Sequence, residues 1–197
     1  MRHSRGFSLI EAFLALFLLM VLLSGLYAVM LSGLDSIRQA RAFAAAQQQA
    51  LQGMASVLTE FSNSTPASVT LAPEHVIFLS PEPPLPTGGA FVFSPAGKLM
   101  WQKWVCFYRD GAAKQLVRAE IPLSAAIDEA VPSPPVPSLA DFQAAAQRQT
   151  VARNISAASF ANEAFPDCFL VRIEAAEQVT SEQITEVHLE STVRMVN

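Results

Sequence analysis

Hydrophobic and polar positions change rhythm twice along this chain. From Ala12 to Leu34 there are 23 consecutive positions without a charge, most of them Leu, Phe, Ala, Val or Met. At a rise of about 1.5 Å per residue a helix of that length spans about 35 Å, enough for the ~30 Å hydrocarbon core of a bilayer. The run exceeds the roughly 7–15-residue apolar core of a secretory signal, and no small-residue cleavage site follows it, so it is expected to stay in the mature protein. Beyond it the apolar positions thin to a helical spacing. Ile37, Ala40, Ala44, Leu51, Met54, Leu58 and Phe61 recur with a polar break at Gln48, the pattern of a stripe that packs on a neighbour. One nearly continuous helix is predicted from about Phe7 to about Phe61, about 80 Å long. Ser62, Asn63, Ser64 and Thr65 end it before Pro66.

All 13 prolines lie between Pro66 and Pro166, so the rest of the chain reads as strands and loops. Residues 76–79 and 90–93 are short apolar runs bounded by Pro and Gly. Residues 101–108 and 114–121 flank Arg109-Asp110-Gly111-Ala112-Ala113 as a hairpin. Ile121-Pro122 is expected to open a long connection through Pro132, Pro134, Pro135 and Pro137, with a short helix within residues 139–149. Residues 151–160, 168–174 and 184–195 read as three more strands. Alternation makes the expected sheet one-sided. Val105 and Phe107 alternate with Trp104, Cys106 and Tyr108, and Val117, Ala119 and Ile121 with Arg118 and Glu120. Phe169, Val171 and Ile173 alternate with Cys168, Arg172 and Glu174 in the same way, as do Val187, Leu189 and Val193 with Glu186, His188 and Glu190. A sheet apolar on one face needs a cover. The stripe on residues 37–61 supplies it, which gives an α+β domain of antiparallel strands packed on a long helix.

Charge and chemistry narrow the function. The chain of 197 residues has a formal net charge of −4 and 15% charged residues, a poor match for sequence-independent nucleic-acid binding, and no cofactor is implied. His75 and His188 have no Cys or His at metal-ligand spacing. His188 lies between Glu186 and Glu190 on a polar strand face, which a solvated surface explains better than acid–base chemistry. Gly88-Gly89 reads as a turn, and Asp128-Glu129 supplies too few acids for a calcium site. Trp101, Trp104, Phe107 and Tyr108 are assigned mainly to sheet packing. Three classes of function are left: a structural subunit, a binding module, and a membrane-anchored enzyme for which no catalytic constellation is visible.

The residues ahead of the apolar run decide among them. Arg5-Gly6-Phe7-Ser8-Leu9-Ile10-Glu11 follows a short basic leader that includes Arg2 and His3. Glu11 stands at the edge of an apolar helix, where a charge costs up to roughly 2.5–3.5 kcal/mol at mid-membrane and less near the interface. This arrangement resembles the class III signal of type IV pilins and pseudopilins. The resemblance implies that a prepilin peptidase cuts between Gly6 and Phe7, that the new amine of Phe7 is methylated, and that Glu11 pairs with a neighbouring subunit's amine during assembly. It implies a leader at residues 1–6, a membrane-spanning half-helix at 7–34, an amphipathic half-helix at 35–61 and a soluble sheet domain at 62–197. Loss of Arg2 and Arg5 with the leader would take the net charge from −4 to −6.

Orientation, with the N-terminus in the cytoplasm and the domain in the periplasm or on a surface fibre, also comes from the family. So do the partners, which are other pilins or minor pseudopilins and the inner membrane. The order of hairpin 105–121, Thr150-Val151-Ala152-Arg153-Asn154-Ile155 and the closing Thr192-Val193-Arg194-Met195-Val196-Asn197 is similar to minor pilins of the W type and to J-type minor pseudopilins. Many major pilins carry a proline in the long helix, whereas this chain has none there.

Cys106 and Cys168 are the only cysteines. An exported domain permits their oxidation. By parity both face the outer side of the sheet, provided their strands share one. A bridge closing about 60 residues would add about 4 kcal/mol in the chain-entropy model. The alternative is two unpaired thiols.

Overall fold

The computed structural model describes residues 9–85, 90–128, 135–163, 167–180 and 183–195. The expected turn at Gly88-Gly89, and Glu129, Pro132 and Pro134, lie outside these residues. The chain divides into two units, Met1–Arg41 and Ala42–Asn197. Helix α1, Leu9–Ser62, runs without interruption through 54 residues, in accord with its uncharged first half and proline-free second half.

In the first unit the described helical residues are solvent-exposed, and Gly25 and Gly33 have open space where a side chain would stand. In the second unit α1 buries Ala42, Ala46, Ala50, Gly53, Met54, Val57 and Phe61. This stripe differs from the predicted one. Ile37 and Leu51 are half exposed, and the packed positions are mostly alanine and glycine. The reason is close approach. A Cβ on Gly53 would stand 3.2 Å from a Leu116 methyl and 3.3 Å from an Ile173 methyl, so small residues line the contact from Ala42 to Gly53, and larger ones (Met54, Val57 and Phe61) enter it only toward the end of the helix.

The strands form two sheets where a single one is expected. β1 (Thr70–Ala72), β2 (His75–Ser80), β3 (Trp101–Asp110), β4 (Gln115–Ile127) and β5 (Gln147–Arg153) follow one another in an antiparallel sheet of five. β6 (Ile155–Asn162), β7 (Cys168–Gln178) and β8 (Ile184–Arg194) form an antiparallel sheet of three. The predicted strand 151–160 is therefore two strands. Asn154, in a left-handed conformation at φ 58°, breaks it and starts the second sheet; asparagine tolerates that region better than most residues. The predicted strand at 90–93 reduces to a single bridge between Phe93 and Leu99. β4 runs through Pro122 to Ile127 instead of ending there, because past Glu120 it pairs with β3 alone, and an edge position tolerates a missing N–H. The short helix α2 is Leu139–Ala144, with Ser138 and Asp141 forming a capping box.

α1 packs on the inner faces of both sheets. Phe61 meets Phe78 of β2 edge-on at 5.2 Å and Phe169 of β7 edge-on at 5.1 Å, so one ring joins the two sheets through the helix. The five-stranded sheet is not one-sided. Ile77, Leu79, Trp104, Cys106, Tyr108, Val117 and Ala119 form a second core on its outer face, closed by Phe142 from α2. Val117 and Ala119 thus face away from α1, and Arg118 and Glu120 face toward it, the reverse of the predicted parity. Cross-strand pairing of Ala119 with Cys106 and of Arg118 with Phe107 fixes this arrangement.

Candidate functional site

Gly6 and Phe7 lie outside the described residues. Glu11 stands in the first turn of α1, where the helix dipole favours a carboxylate. Around and beyond it Leu9, Ile10, Phe13, Leu14, Phe17 and most of the large apolar side chains up to Leu34 are exposed on all sides of the helix. A helix apolar all round requires an apolar surrounding, either lipid or other helices. Among the described residues α1 is the one helix long and apolar enough to cross a membrane.

The second unit holds a charged constellation that sequence parity had assigned to the solvent face. Arg118 of β4 binds Glu60 of α1 with two parallel hydrogen bonds, from Nε to Oε1 and, at 3.1 Å, from Nη2 to Oε2. Its Nη1 donates to Glu120 Oε2 at 2.8 Å. Lys103 Nζ of β3 donates to the same Oε2 at 2.9 Å and to the Pro83 carbonyl at 3.1 Å, and Glu82 Oε2 stands 3.9 Å from it. Burial raises the Glu60 carboxyl above its ordinary value, and the contacts with Arg118 only partly offset this. Burial acts on Glu120 in the same sense, but hydrogen bonds from Lys103, the Leu85 N–H and Arg118 outweigh it and hold that carboxyl below the usual range. Burial alone would lower Arg118, yet its two carboxylate partners raise it further. Sequence reasoning missed this cluster because it took Arg118 and Glu120 for outward residues. The available signal was the pairing of two like-facing charges in β4 with Glu60 in an otherwise alanine-rich helix.

An open groove of about 440 Å³ lies over this cluster, lined among others by Ser56, Glu60, Glu82, Leu85, Phe91 and Gln149. Beside it residues 90–100 fold back on themselves. Met100 N–H donates to the Val92 carbonyl at 2.9 Å and Ser94 N–H to the Lys98 carbonyl at 2.8 Å, around Gly97 at φ 76°.

Cys106 and Cys168 are both free. The expected bridge rested on a shared sheet, and the two residues belong to different ones. Cys106 lies on β3 in the outer core, where burial pushes its thiol up to about 12, and Cys168 begins β7. His188 sits on an exposed face with its Nδ1 3.1 Å from Glu174 Oε1, as a solvated strand face requires. Trp104, Phe107 and Tyr108 are buried in sheet packing. Among the described residues no cluster of three or more His, Cys, Asp or Glu could hold a metal ion.

Residues 1–27 match the family model of the prokaryotic N-terminal methylation motif. No curated protein and no solved structure matches the chain. That motif, opening a long apolar helix that continues into antiparallel sheets, supports a type IV pilin-like protein, and the architecture is α+β. The motif implies processing by a prepilin peptidase and assembly with other pilins, and the helix it opens has the length and apolar character typical of a pilin's membrane anchor.

Proposed function

We propose that this chain is a minor pilin or pseudopilin, of the W type or the J type, incorporated into or initiating a type IV pilus or a type II secretion pseudopilus. The peptidase cuts between Gly6 and Phe7, the Phe7 amine is methylated, and the subunit waits in the inner membrane with its N-terminus toward the cytoplasm until it enters the fibre. The observation that carries this reading is Glu11, the sole charge between Leu9 and Leu34 of a helix that is apolar on every side. A carboxylate there is tolerated at the interface but is costly deeper in an apolar surrounding. A neighbour's Phe7 amine neutralises it, and the two charges leave water together. In the pilin family the tip-most pseudopilin lacks this glutamate, so the presence of Glu11 supports a position below at least one other subunit.

The test is Glu11→Gln at native expression level. Folding of the second unit, cleavage and membrane residence are expected to be unchanged, since Glu11 takes no part in the core. Recovery in sheared fibres, or with co-purifying pilins, is expected to fall about tenfold or more, the loss of a contact worth at least about 1.4 kcal/mol. Unchanged incorporation would refute the charge-pair role. A binding-module reading has its own support in the apolar turn at residues 90–100.

A further inference from the structure

The exposed apolar residues of the second unit are not scattered. Outside α1 the described chain exposes seven large hydrophobic side chains, and five of them (Leu85, Phe91, Val92, Phe93 and Leu99) fall between residues 85 and 99. Phe91 is 49% and Phe93 60% exposed, although the turn that carries them is closed by backbone hydrogen bonds and tied to β3 by Gln102, whose amide donates to the Ala90 carbonyl at 3.4 Å. An ordered turn with its aromatic residues in water marks an interaction surface.

The groove beside it defines the chemistry of the occupant. Its two cations are already used. The Lys103 and Arg118 side chains are 2% and 7% exposed, and both are tied to carboxylates. What solvent reaches is acidic: the Glu82 side chain is 34% exposed and that of Glu60 12%. At 3.9 Å from Lys103, Glu82 keeps most of its accepting capacity. The groove thus offers carboxylate oxygens at its rim and Leu85 and Phe91 as an apolar lip.

We propose that this groove docks an extended segment of another protein in which an arginine or lysine neighbours an aromatic or aliphatic side chain, the cation meeting Glu82 and the apolar group meeting Leu85 and Phe91. The surface is distinct from Gly6, Phe7 and Glu11, so the proposal goes beyond fibre membership and does not depend on it. An anionic lipid surface is the wrong occupant, because the reachable charges have the same sign as its headgroups.

The test uses the full chain in detergent micelles and three fluorescein-labelled peptides read by polarisation. The first is Gly-Ser-Leu-Arg-Phe-Ser-Gly, the second has Glu for Arg, and the third has Ser for both Leu and Phe. The first is expected to bind about tenfold more tightly than either twin, the equivalent of one good contact. Its binding is expected to weaken with added salt, and to fall about tenfold in Glu82→Lys and in Phe91→Ser. Both positions are partly exposed, so these variants keep the fold. Ile184→Ser, on an exposed position of β8, is expected to bind like the parent. Equal binding of the charge-reversed twin, indifference to Glu82→Lys and Phe91→Ser, or no binding above the micelle background overturns the proposal. So does chain–chain association in sedimentation that Phe91→Ser abolishes, because the groove would then be filled by a second copy.

Discussion

Arg118 shares one guanidinium between Glu60 on the helix and Glu120 on its own strand. Without it two carboxylates would stand in a largely dehydrated space, which typically costs about 3–5 kcal/mol when one partner of a buried pair is removed. Lys103 adds a second cation against Glu120, with Glu82 3.9 Å away, so each buried charge of the cluster faces an opposite one. The cysteines yield a prediction at the same scale. Cys106 is buried with its thiol at about 12, far above pH 8, and so stays protonated and shielded, whereas the half-buried Cys168 is reachable at the start of β7. Iodoacetamide at pH 8 is expected to add one label to the native chain, on Cys168, and two after denaturation. Mass spectrometry of the intact chain and its peptides reads this directly. Two labels on the native protein, or none together with a mass two hydrogens short, would show the assignment of the thiols to be wrong.

At the scale of elements, the contact between α1 and the two sheets rests on small residues. Gly53 lies against Leu116, Ala152 and Ile173, so close that even a methyl group there would press on its neighbours. Gly53→Leu is expected to destabilise the second unit by about 1–3 kcal/mol or more, as overpacking does. Thermal unfolding of the full chain in detergent, followed by near-ultraviolet circular dichroism, measures it; an unchanged midpoint would mean the helix does not approach the sheets this closely. This contact also explains what the sequence could convey. The helix itself was legible, because an uncharged run and a proline-free stretch leave few alternatives. Its buried face was not, since alanine stripes carry little hydrophobic contrast and Leu51 draws the eye to the wrong side. The hairpin of β3 and β4 was legible from Asp110-Gly111, whose Asp110 carboxylate accepts the N–H groups of Ala112 and Ala113 at 3.0 and 3.1 Å. The division into two sheets was hidden in one backbone angle at Asn154, and the inversion of β4 followed from pairing, which strand periodicity alone does not determine.

For the whole molecule, an apolar helix and a sheet domain with its own core divide the work. The first needs lipid or other helices around it, and the second is stabilised by packing on both faces of its larger sheet. That division suits the proposed role of a membrane-held subunit awaiting transfer into a fibre. The central claim is that the chain is a peptidase-processed pilin-like subunit, and the most direct measurement is the mass and N-terminal sequence of the mature chain from cells that express a prepilin peptidase. The account predicts a chain that begins at N-methylated Phe7 and retains the whole apolar helix. A mature chain that still carries Met1 to Gly6, or one cut beyond Leu34, would contradict it.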